Sequence, residues 1–260
     1  SVGAPYFNAV FVPLMVPVVF LMVPGGVAHW REARWAELAH AMRWPALAAV
    51  LVGLGVLFFS ARGTWLTAMG MALATWVVAG LLHQIVNRMQ KPGRIPPSFW
   101  GMHLAHLGIA VVVVGITLVK GYEVERDVRM QEGDTAVVAG YEFTLQDVYE
   151  LNGPNYGGQA AELDVSKAGN YVTHLHAEKR FYRIQKTIMT ESAVHARLSR
   201  DLYVSLGEEL PGNAWAMRIQ VKPFVRWIWL GGLLMSLGAL VALCDKKYRR
   251  KLSGHGEAHA

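Results

Sequence analysis

Residues 99–119, FWGMHLAHLGIAVVVVGITLV, decide the fold class, because they contain no Asp, Glu, Lys or Arg. A helix needs about 20 mostly apolar residues to cross a bilayer core about 30 Å thick, so this stretch predicts a transmembrane helix. Four other windows are similarly apolar, and Arg226 is the one charged residue within them. The sequence therefore predicts an α-helical polytopic membrane protein with five spans, at residues 6–23, 44–60, 64–82, 99–119 and 224–243.

The composition agrees with a membrane protein and excludes several kinds of chemistry. Of the 260 residues, 53% are hydrophobic and 17% are charged, against about 25% charged in soluble proteins. The single cysteine, Cys244, excludes an internal disulfide, a CxxCH haem-attachment motif and a zinc site built on several thiolates. The sequence has no Ser-His-Asp arrangement and no phosphate-binding glycine loop, so a conventional hydrolase or kinase is not expected.

Basic residues predict the orientation of the spans. Three Lys or Arg lie in each of the connections at residues 24–43 and 83–98, and a basic run opens the tail at residues 244–260. Because such segments stay on the cytoplasmic side, we expect a cytoplasmic C-terminus and an external domain at residues 120–223. The net charge of +6 arises from these flanks, so it indicates lipid headgroups and not nucleic acid.

A small β-rich domain is predicted at residues 120–223, between the four spans of residues 1–119 and the last span. Apolar and polar residues alternate along residues 141–146 and 215–222, as on strands with one buried face. Turn signals separate the apolar runs at residues 152–155, 157–158, 168–170 and 211–213. These features favour an antiparallel barrel or sandwich inserted before the fifth span.

Two histidines lie inside the fourth span, where an ionisable side chain indicates function. His103 and His106 are three positions apart, on one face of the predicted helix. A neutral imidazole is a good axial ligand for haem iron, and small residues such as Gly108 would let a porphyrin or another helix approach closely. His106, about 10 Å into the span, is thus either a haem ligand or a partner in an interhelical hydrogen bond. His103 is nearer the cytoplasmic interface and is expected to be interfacial.

Two features of the β-rich domain have alternative interpretations. His174 and His176 lie on one strand face, which suits a metal ion, but exposed histidines without a third ligand are more often solvated. Lys179 and Arg180 could contact haem propionates, although charge on a strand surface is the simpler interpretation.

Eight short strings together form a more specific signal than any single motif. In chain order they are SVGAPYFN (1–8), LAHLG (104–108), ERDVR (125–129), GPNY (153–156), AEKRFY (177–182), RDLY (200–203), GEEL (207–210) and KPFVRWIW (222–229). Up to its basic tail, the chain resembles the C-terminal portion of the CcmF-type membrane haem lyases of cytochrome c maturation.

The resemblance implies a role for His106, because it matches the family's histidine that ligates an integral haem b. The other axial histidine belongs to an earlier span, and a tryptophan-rich WWD segment holds the transferred haem, which is a substrate; neither lies in this sequence. His103 is not part of the pattern. Residues 1–8 lack a basic n-region and an initiator Met. We therefore expect a fragment or split subunit that acts with the N-terminal part of the same protein.

The resemblance further implies covalent attachment of haem to the CxxCH cysteines of apocytochrome c. Haem arrives on the haem chaperone CcmE, thiol-handling and apocytochrome-presenting subunits supply the acceptor, and haem b reduces the transferred haem. A rival hypothesis is a non-catalytic membrane-anchored scaffold that docks these partners through residues 120–223, with His106 only packing. A transporter component is a weaker alternative, because no chain of ionisable residues crosses the membrane.

Overall fold

The computed structural model describes residues 6–28 and 35–245, without the side chains of Phe7 and Asn8. Most of the first string, at residues 1–8, and most of the predicted basic tail lie outside the described residues. The chain divides into a helical unit, Ser1–Gly121 with Trp227–Ala260, and a β-rich unit, Tyr122–Arg226.

The apolar windows become helices, and three of the five helices are longer than their windows. A π-helical turn (Phe7–Phe11) precedes α1, and the helices are α1 (Val12–Val27), α2 (Trp35–Phe59), α3 (Trp65–Met89), α4 (Pro97–Tyr122) and α5 (Val225–Leu243). In the described part of the chain, five helical segments are long and apolar enough to cross a membrane, which confirms the predicted helical class. α2 begins at Trp35 and not at residue 44, because a charge-free window marks only the part of a helix that hydrocarbon surrounds.

A proline in α1 leaves one carbonyl group without its helical hydrogen bond, and a side chain of another helix supplies a donor instead. Pro24 has no N–H, so the carbonyl of Phe20 lacks the helical partner it would find four residues on. The indole Nε1 of Trp76 in α3 donates to this oxygen at 2.9 Å, and the indole stacks on the Phe20 ring at a centroid distance of 5.1 Å. Neighbouring helices can satisfy carbonyls freed by proline within a membrane, and here the contact anchors α1 to α3. The buried cluster around it comprises Val19, Val23, Ala49, Trp76, Val77, Leu81 and Ala110.

The β-rich unit is a sandwich of two antiparallel sheets. Its strands are β1 (Val124–Met130), β2 (Thr135–Val138), β3 (Tyr141–Asn152), β4 (Tyr156–Lys167), β5 (Asn170–Tyr182), β6 (Thr187–Glu191), β7 (Ala193–Ala196), β8 (Arg200–Leu210) and β9 (Ala214–Pro223). The strand order is β1-β9-β8-β7 in one sheet and β2-β3-β4-β5-β6 in the other. Phe143, Leu145, Met217 and Ile219 are at most 1% exposed, so the predicted alternation and the inserted β-rich domain are confirmed.

Three of the four predicted turns are confirmed and one is wrong. Residues 152–155, 168–170 and 211–213 each lie where one strand ends and the next begins. The predicted turn at residues 157–158 lies inside β4 instead. A side chain at Gly158 would collide with the carbonyl oxygen of Lys179 on β5, so this glycine permits the close approach of two strands.

Candidate functional site

The first turn of α4, the helix that carries both candidate histidines, is fixed by a carboxylate. Asp245, which follows α5, accepts a hydrogen bond from the backbone N–H of Ser98 at 3.1 Å. The first N–H groups of a helix have no internal partner and carry partial positive charge, so a carboxylate stabilises them. Because Asp245 is only 7% exposed, this contact is buried and ties the start of α4 to the end of α5.

Glycines spaced seven residues apart bring α4 and α5 into backbone contact. A Cβ at Gly108 would lie 2.6 Å from the carbonyl oxygen of Gly231, and one at Gly101 would lie 2.5 Å from that of Gly238. Real Cβ atoms essentially never come within 3.0 Å of such neighbours, so only glycine fits here. Of the two roles that the sequence leaves open for Gly108, the structure uses the close approach of a helix.

Another side of α4 packs on α3. Ala110 is 1% exposed and belongs to the buried cluster with Trp76 and Val77 of α3. Near the end of α4, a Cβ at Gly121 would lie 2.7 Å from the hydroxyl oxygen of Thr67. Contacts with two neighbouring helices therefore fix the rotation of α4 about its own axis.

His106 lies on the side of α4 that turns away from α5. The residues three, four and seven positions further on, Ile109, Ala110 and Val113, belong to the buried cluster or pack against it. The His106 side chain is partly buried. Among residues 6–28 and 35–245 neither of its ring nitrogens has a hydrogen-bond partner, so the interhelical hydrogen bond is not found within these residues.

His103 is buried by the surrounding protein, at 4% exposed. Its Nδ1 donates to the carbonyl oxygen of Phe99 at 2.8 Å, and because that oxygen can only accept, the proton of the neutral ring lies on Nδ1. Nε2 is then a bare lone pair, buried and without a hydrogen-bond partner in the described chain. His103 is therefore a second neutral imidazole inside the helical unit.

The donor chemistry of the helical unit fits haem iron. A neutral imidazole in apolar surroundings, with a ring nitrogen that no protein group satisfies, is a suitable axial ligand. Two open apolar grooves lie on this unit, one of about 710 Å³ between α4 and α5 and one of about 300 Å³ between α3 and α4. Neither groove has a histidine in its lining, so a haem on His106 would lie outside both.

Comparison with known proteins identifies the family. A family model described as the CcmF C-terminal beta-sandwich matches residues 121–223. The cytochrome c-type biogenesis protein CcmF of Escherichia coli K12 is 40% identical, and that of Pseudomonas aeruginosa is 42% identical, each over 97% of this chain. The chain belongs to the CcmF family. It corresponds to the C-terminal portion of CcmF and spans 39% of the length of these two relatives.

A solved structure supports the CcmF fold. The protein called Cytochrome c Heme Lyase CcmF matches 94% of this chain and 41% of its own, with a TM-score of 0.77 and 24% identity. At this identity the match concerns the fold alone. Together with the five span-length helices, membership of the CcmF family makes the chain a multi-pass membrane protein.

On the CcmF sandwich, His174 and His176 of β5 are paired with carboxylates. The strand register places Asp164 opposite His174 and Glu162 opposite His176. His174 hydrogen-bonds to Asp164 at 2.8 Å and also to Glu162, while His176 hydrogen-bonds to Glu162 at 2.8 Å and to Glu178 at 2.9 Å. These bonds raise the pKa of both histidines, chiefly through Asp164 for His174 and through Glu162 for His176.

The pKa of the carboxylate shared by the two histidines shifts in the opposite direction. Burial works against ionisation of Glu162, yet hydrogen bonds from His176, His174 and Tyr149 bring its pKa below the ordinary value. Within the residues that the structure describes, no group of three or more His, Cys, Asp or Glu is arranged to hold a metal ion. The two histidines therefore act as members of ion pairs across neighbouring strands.

Lys179 and Arg180 are also neutralised within the sandwich. Lys179 Nζ lies 2.6 Å from a carboxylate oxygen of Glu208, and Arg180 Nε lies 2.6 Å from one of Glu178. The Arg180 guanidinium also sits 4.7 Å above the ring of Tyr156. Since both cations already have partners, the structure favours charge on a strand surface over a pair of propionate ligands.

Proposed function

We propose that this chain is the C-terminal part of a membrane haem lyase that attaches haem to the CxxCH cysteines of apocytochrome c. The CcmF relatives, which are named cytochrome c-type biogenesis proteins, support the proposal. The chain spans 39% of the length of these relatives, and we propose that it acts together with the N-terminal part of the same protein.

His106 is the proposed axial ligand of an integral haem b. The observation that carries this is its imidazole, partly buried in α4 and without a hydrogen-bond partner in the described ranges. The second axial ligand would come from the N-terminal part of the protein. When bound, haem b supplies an electron that reduces the transferred haem, which is the substrate.

The packing of α4 fixes the direction in which the His106 side chain points. The contact between Gly108 and Gly231 sets the distance between α4 and α5, and Asp245 fixes the first turn of α4. His106 thereby has a defined rotation before a second ligand binds, which lowers the entropy that haem binding must offset.

The proposed location is the inner membrane with the sandwich in the periplasm, as the resemblance to CcmF implies, and the basic connections support a cytoplasmic C-terminus. The sandwich would there meet CcmE, the thiol-handling and apocytochrome-presenting subunits, and apocytochrome c. One surface suits such contacts: β6 is an edge strand on which Ile188 is 64% and Met189 is 51% exposed. This surface also supports the alternative of a non-catalytic scaffold that docks the maturation partners.

The test is His106→Ala in the intact protein, with His103→Ala as a matched control one turn earlier on the same helix. We expect His106→Ala to reduce haem content and to remove the low-spin b-type spectrum of the reduced protein, with loss of cytochrome c maturation. His103→Ala should retain both the spectrum and maturation. An unchanged spectrum after His106→Ala would contradict the ligand, and loss in His103→Ala alone would transfer the role to His103.

The scaffold alternative makes a different prediction for the same assay. Maturation would persist in His106→Ala, whereas the charge reversal Arg126→Glu at an exposed position of β1 would abolish co-purification of partners. Loss of maturation together with haem in His106→Ala, with partners still bound, would exclude the scaffold.

A further inference from the structure

Two cations converge on one buried tyrosine at an end of the sandwich. Tyr141, the first residue of β3, is 8% exposed, and its hydroxyl oxygen lies 2.9 Å from Arg200 Nε and 3.5 Å from Lys167 Nζ. The same two groups flank the Tyr141 ring, with Lys167 Nζ 4.5 Å and Arg200 Cζ 4.8 Å from its centroid. Burial would raise the pKa of Tyr141, yet the hydrogen bonds and positive charges of Arg200 and Lys167 lower it.

This pair of cations is not neutralised inside the described chain. No carboxylate among the described residues forms an ion pair with Arg200 or Lys167. In addition, Arg200 Nη1 is buried and has no hydrogen-bond partner in this part of the protein. A buried donor without an acceptor costs free energy, and two like charges in proximity add to the cost. Such an arrangement is expected where an anion from outside the chain completes the site.

The neighbouring acid is already bound by other groups, and further cations lie nearby. Asp201, only 1% exposed, is the nearby acid, and it already accepts from the Arg197 N–H at 3.1 Å and the Tyr203 hydroxyl at 3.4 Å, with Arg226 Nε also at 3.4 Å. Lys222 Nζ lies 5.1 Å above the ring of Tyr203. We call the cations without a carboxylate partner the cationic end of the sandwich; they are Lys167, Arg197, Arg200 and Lys222.

The cationic end lies where the sandwich continues into the last helix. In the β8–β9 ladder Arg200 is opposite Pro223, and the N–H of Phe224 donates to the carbonyl oxygen of Ser199 at 3.1 Å. α5 begins at Val225 and is apolar enough to cross a membrane. The register therefore places Arg200 beside the strand end that leads into this apolar helix, and phospholipid phosphates lie where a span leaves the bilayer.

Two exposed side chains beside the cationic end suit the same depth. Leu198, in the turn before Arg200, is 66% exposed, and Tyr171, just after the turn that follows Lys167, is 68% exposed. Aromatic residues are enriched at the membrane boundary, and an apolar side chain between cations can reach the first acyl carbons.

We propose that the cationic end binds the phosphate of an anionic phospholipid headgroup, with Arg200 and Lys167 as its direct ligands. The planar guanidinium matches the geometry of a phosphate, and an anion there offsets the charge of two cations that have no carboxylate partner among the described residues. Lys167 adds a point charge, and the Tyr141 hydroxyl holds the two cations together. This site is separate from His106 and does not depend on haem.

The test uses the intact protein in a non-ionic detergent without added lipid. Native mass spectrometry follows binding of dioleoyl phosphatidylglycerol, with dioleoyl phosphatidylcholine as the net-neutral comparison. The double variant Arg200→Gln/Lys167→Gln should weaken phosphatidylglycerol binding by about fivefold for each cation, hence about 25-fold in total. Tyr141→Phe keeps the ring and should weaken binding by a smaller factor. The matched control is Arg218→Gln, which removes one cation paired with Asp127 at 2.8 Å and should leave binding unchanged.

The unfolding temperature distinguishes a ligand site from a contact that only stabilises the fold. Without lipid, the double variant should unfold at the same or a higher temperature than the native protein, because two repelling charges are gone. The proposal is overturned if the double variant binds phosphatidylglycerol as tightly as the native protein, or if phosphatidylcholine binds equally well. Tighter binding of inorganic phosphate than of phosphatidylglycerol, or a lower unfolding temperature with unchanged lipid binding, also overturns it.

Discussion

A single methyl group at the contact between α4 and α5 tests whether the glycines hold the histidine-bearing helix in place. In Gly231→Ala the new Cβ would lie 2.5 Å from the carbonyl oxygen of Gly108 and 2.8 Å from the backbone nitrogen of Val112. Both are backbone atoms, so they cannot rotate away as a side chain would. The matched control is Gly232→Ala, the next residue of α5, whose Cβ would meet nothing within 4 Å.

The size of the effect follows from this geometry. Ordinary contact begins at 3.4 Å, so the helices must separate by about 0.9 Å to relieve the 2.5 Å contact. Overpacking of this kind costs about 1–3 kcal/mol. The intrinsic preference of a helix for alanine over glycine, about 1 kcal/mol, applies equally to Gly232→Ala and therefore cancels in the comparison. We expect Gly231→Ala to be less stable than Gly232→Ala by about 1–3 kcal/mol.

The assay is unfolding of the intact variants in mixed micelles, followed by tryptophan fluorescence as the denaturing detergent increases. Under the proposed function, a displaced α4 also moves His106, so the b-type band of the reduced protein should shift in Gly231→Ala and not in Gly232→Ala. Unfolding of both variants at the same detergent fraction would refute the packing argument. A stability difference without any spectral change would leave the packing intact and weaken the role of His106.

Two further predictions concern the sandwich. Gly158→Ala should lower its stability by about 1–3 kcal/mol, because the new methyl group collides with the Lys179 carbonyl oxygen. The control Gly157→Ala makes no contact shorter than 3.4 Å, so equal thermal midpoints of the two variants would contradict this. The ion pairs of His174 and His176 have raised pKa values, so their contribution is complete below the ordinary pKa of 6.5 and is lost as pH rises through the raised values. The thermal midpoint of the intact protein should therefore exceed that of His174→Gln/His176→Gln most clearly below pH 6.5, and a difference that widens with rising pH would be contrary to this.

The parts of the fold that depend on local patterns could be predicted from the sequence. Absence of charge along residues 99–119 predicts a span because burial of an unpaired charge in hydrocarbon is costly. Alternation along residues 215–222 predicts a strand because successive side chains point to opposite faces. Both rules concern neighbours in the chain, and both are confirmed by α4 and β9.

Glycine shows where local patterns become ambiguous. Residues 168–170 and residues 157–158 both have the composition of a turn. Gly169 does adopt a positive φ, +76°, in the turn between β4 and β5, whereas Gly158 is needed because another backbone lies against it. The first requirement is local and the second is tertiary, so a single sequence does not separate them.

Contacts between distant parts of the chain could not be predicted from the sequence for the same reason. Nothing in the neighbourhood of Asp245 indicates that it accepts from Ser98, and the pairing of Glu162 with His176 depends on a strand register that composition does not fix. The seven-residue spacing of Gly101 and Gly108 was a usable signal, since Gly231 and Gly238 repeat it on α5. That repeat predicts two small-residue faces that can meet.

The same distinction explains why the two histidines of α4 differ although the sequence places both inside the span. His103 satisfies one nitrogen on the carbonyl of Phe99, four residues back, so part of the cost of its burial is met within its own helix. His106 has no such partner in the described chain, on a side of α4 whose neighbours pack into the buried cluster. An imidazole in that position is costly unless something outside these residues binds it, and iron does so more strongly than a hydrogen bond. Under the proposed function the second ligand comes from elsewhere in the protein, and the glycine contacts and the buried carboxylate hold α4 in place without haem.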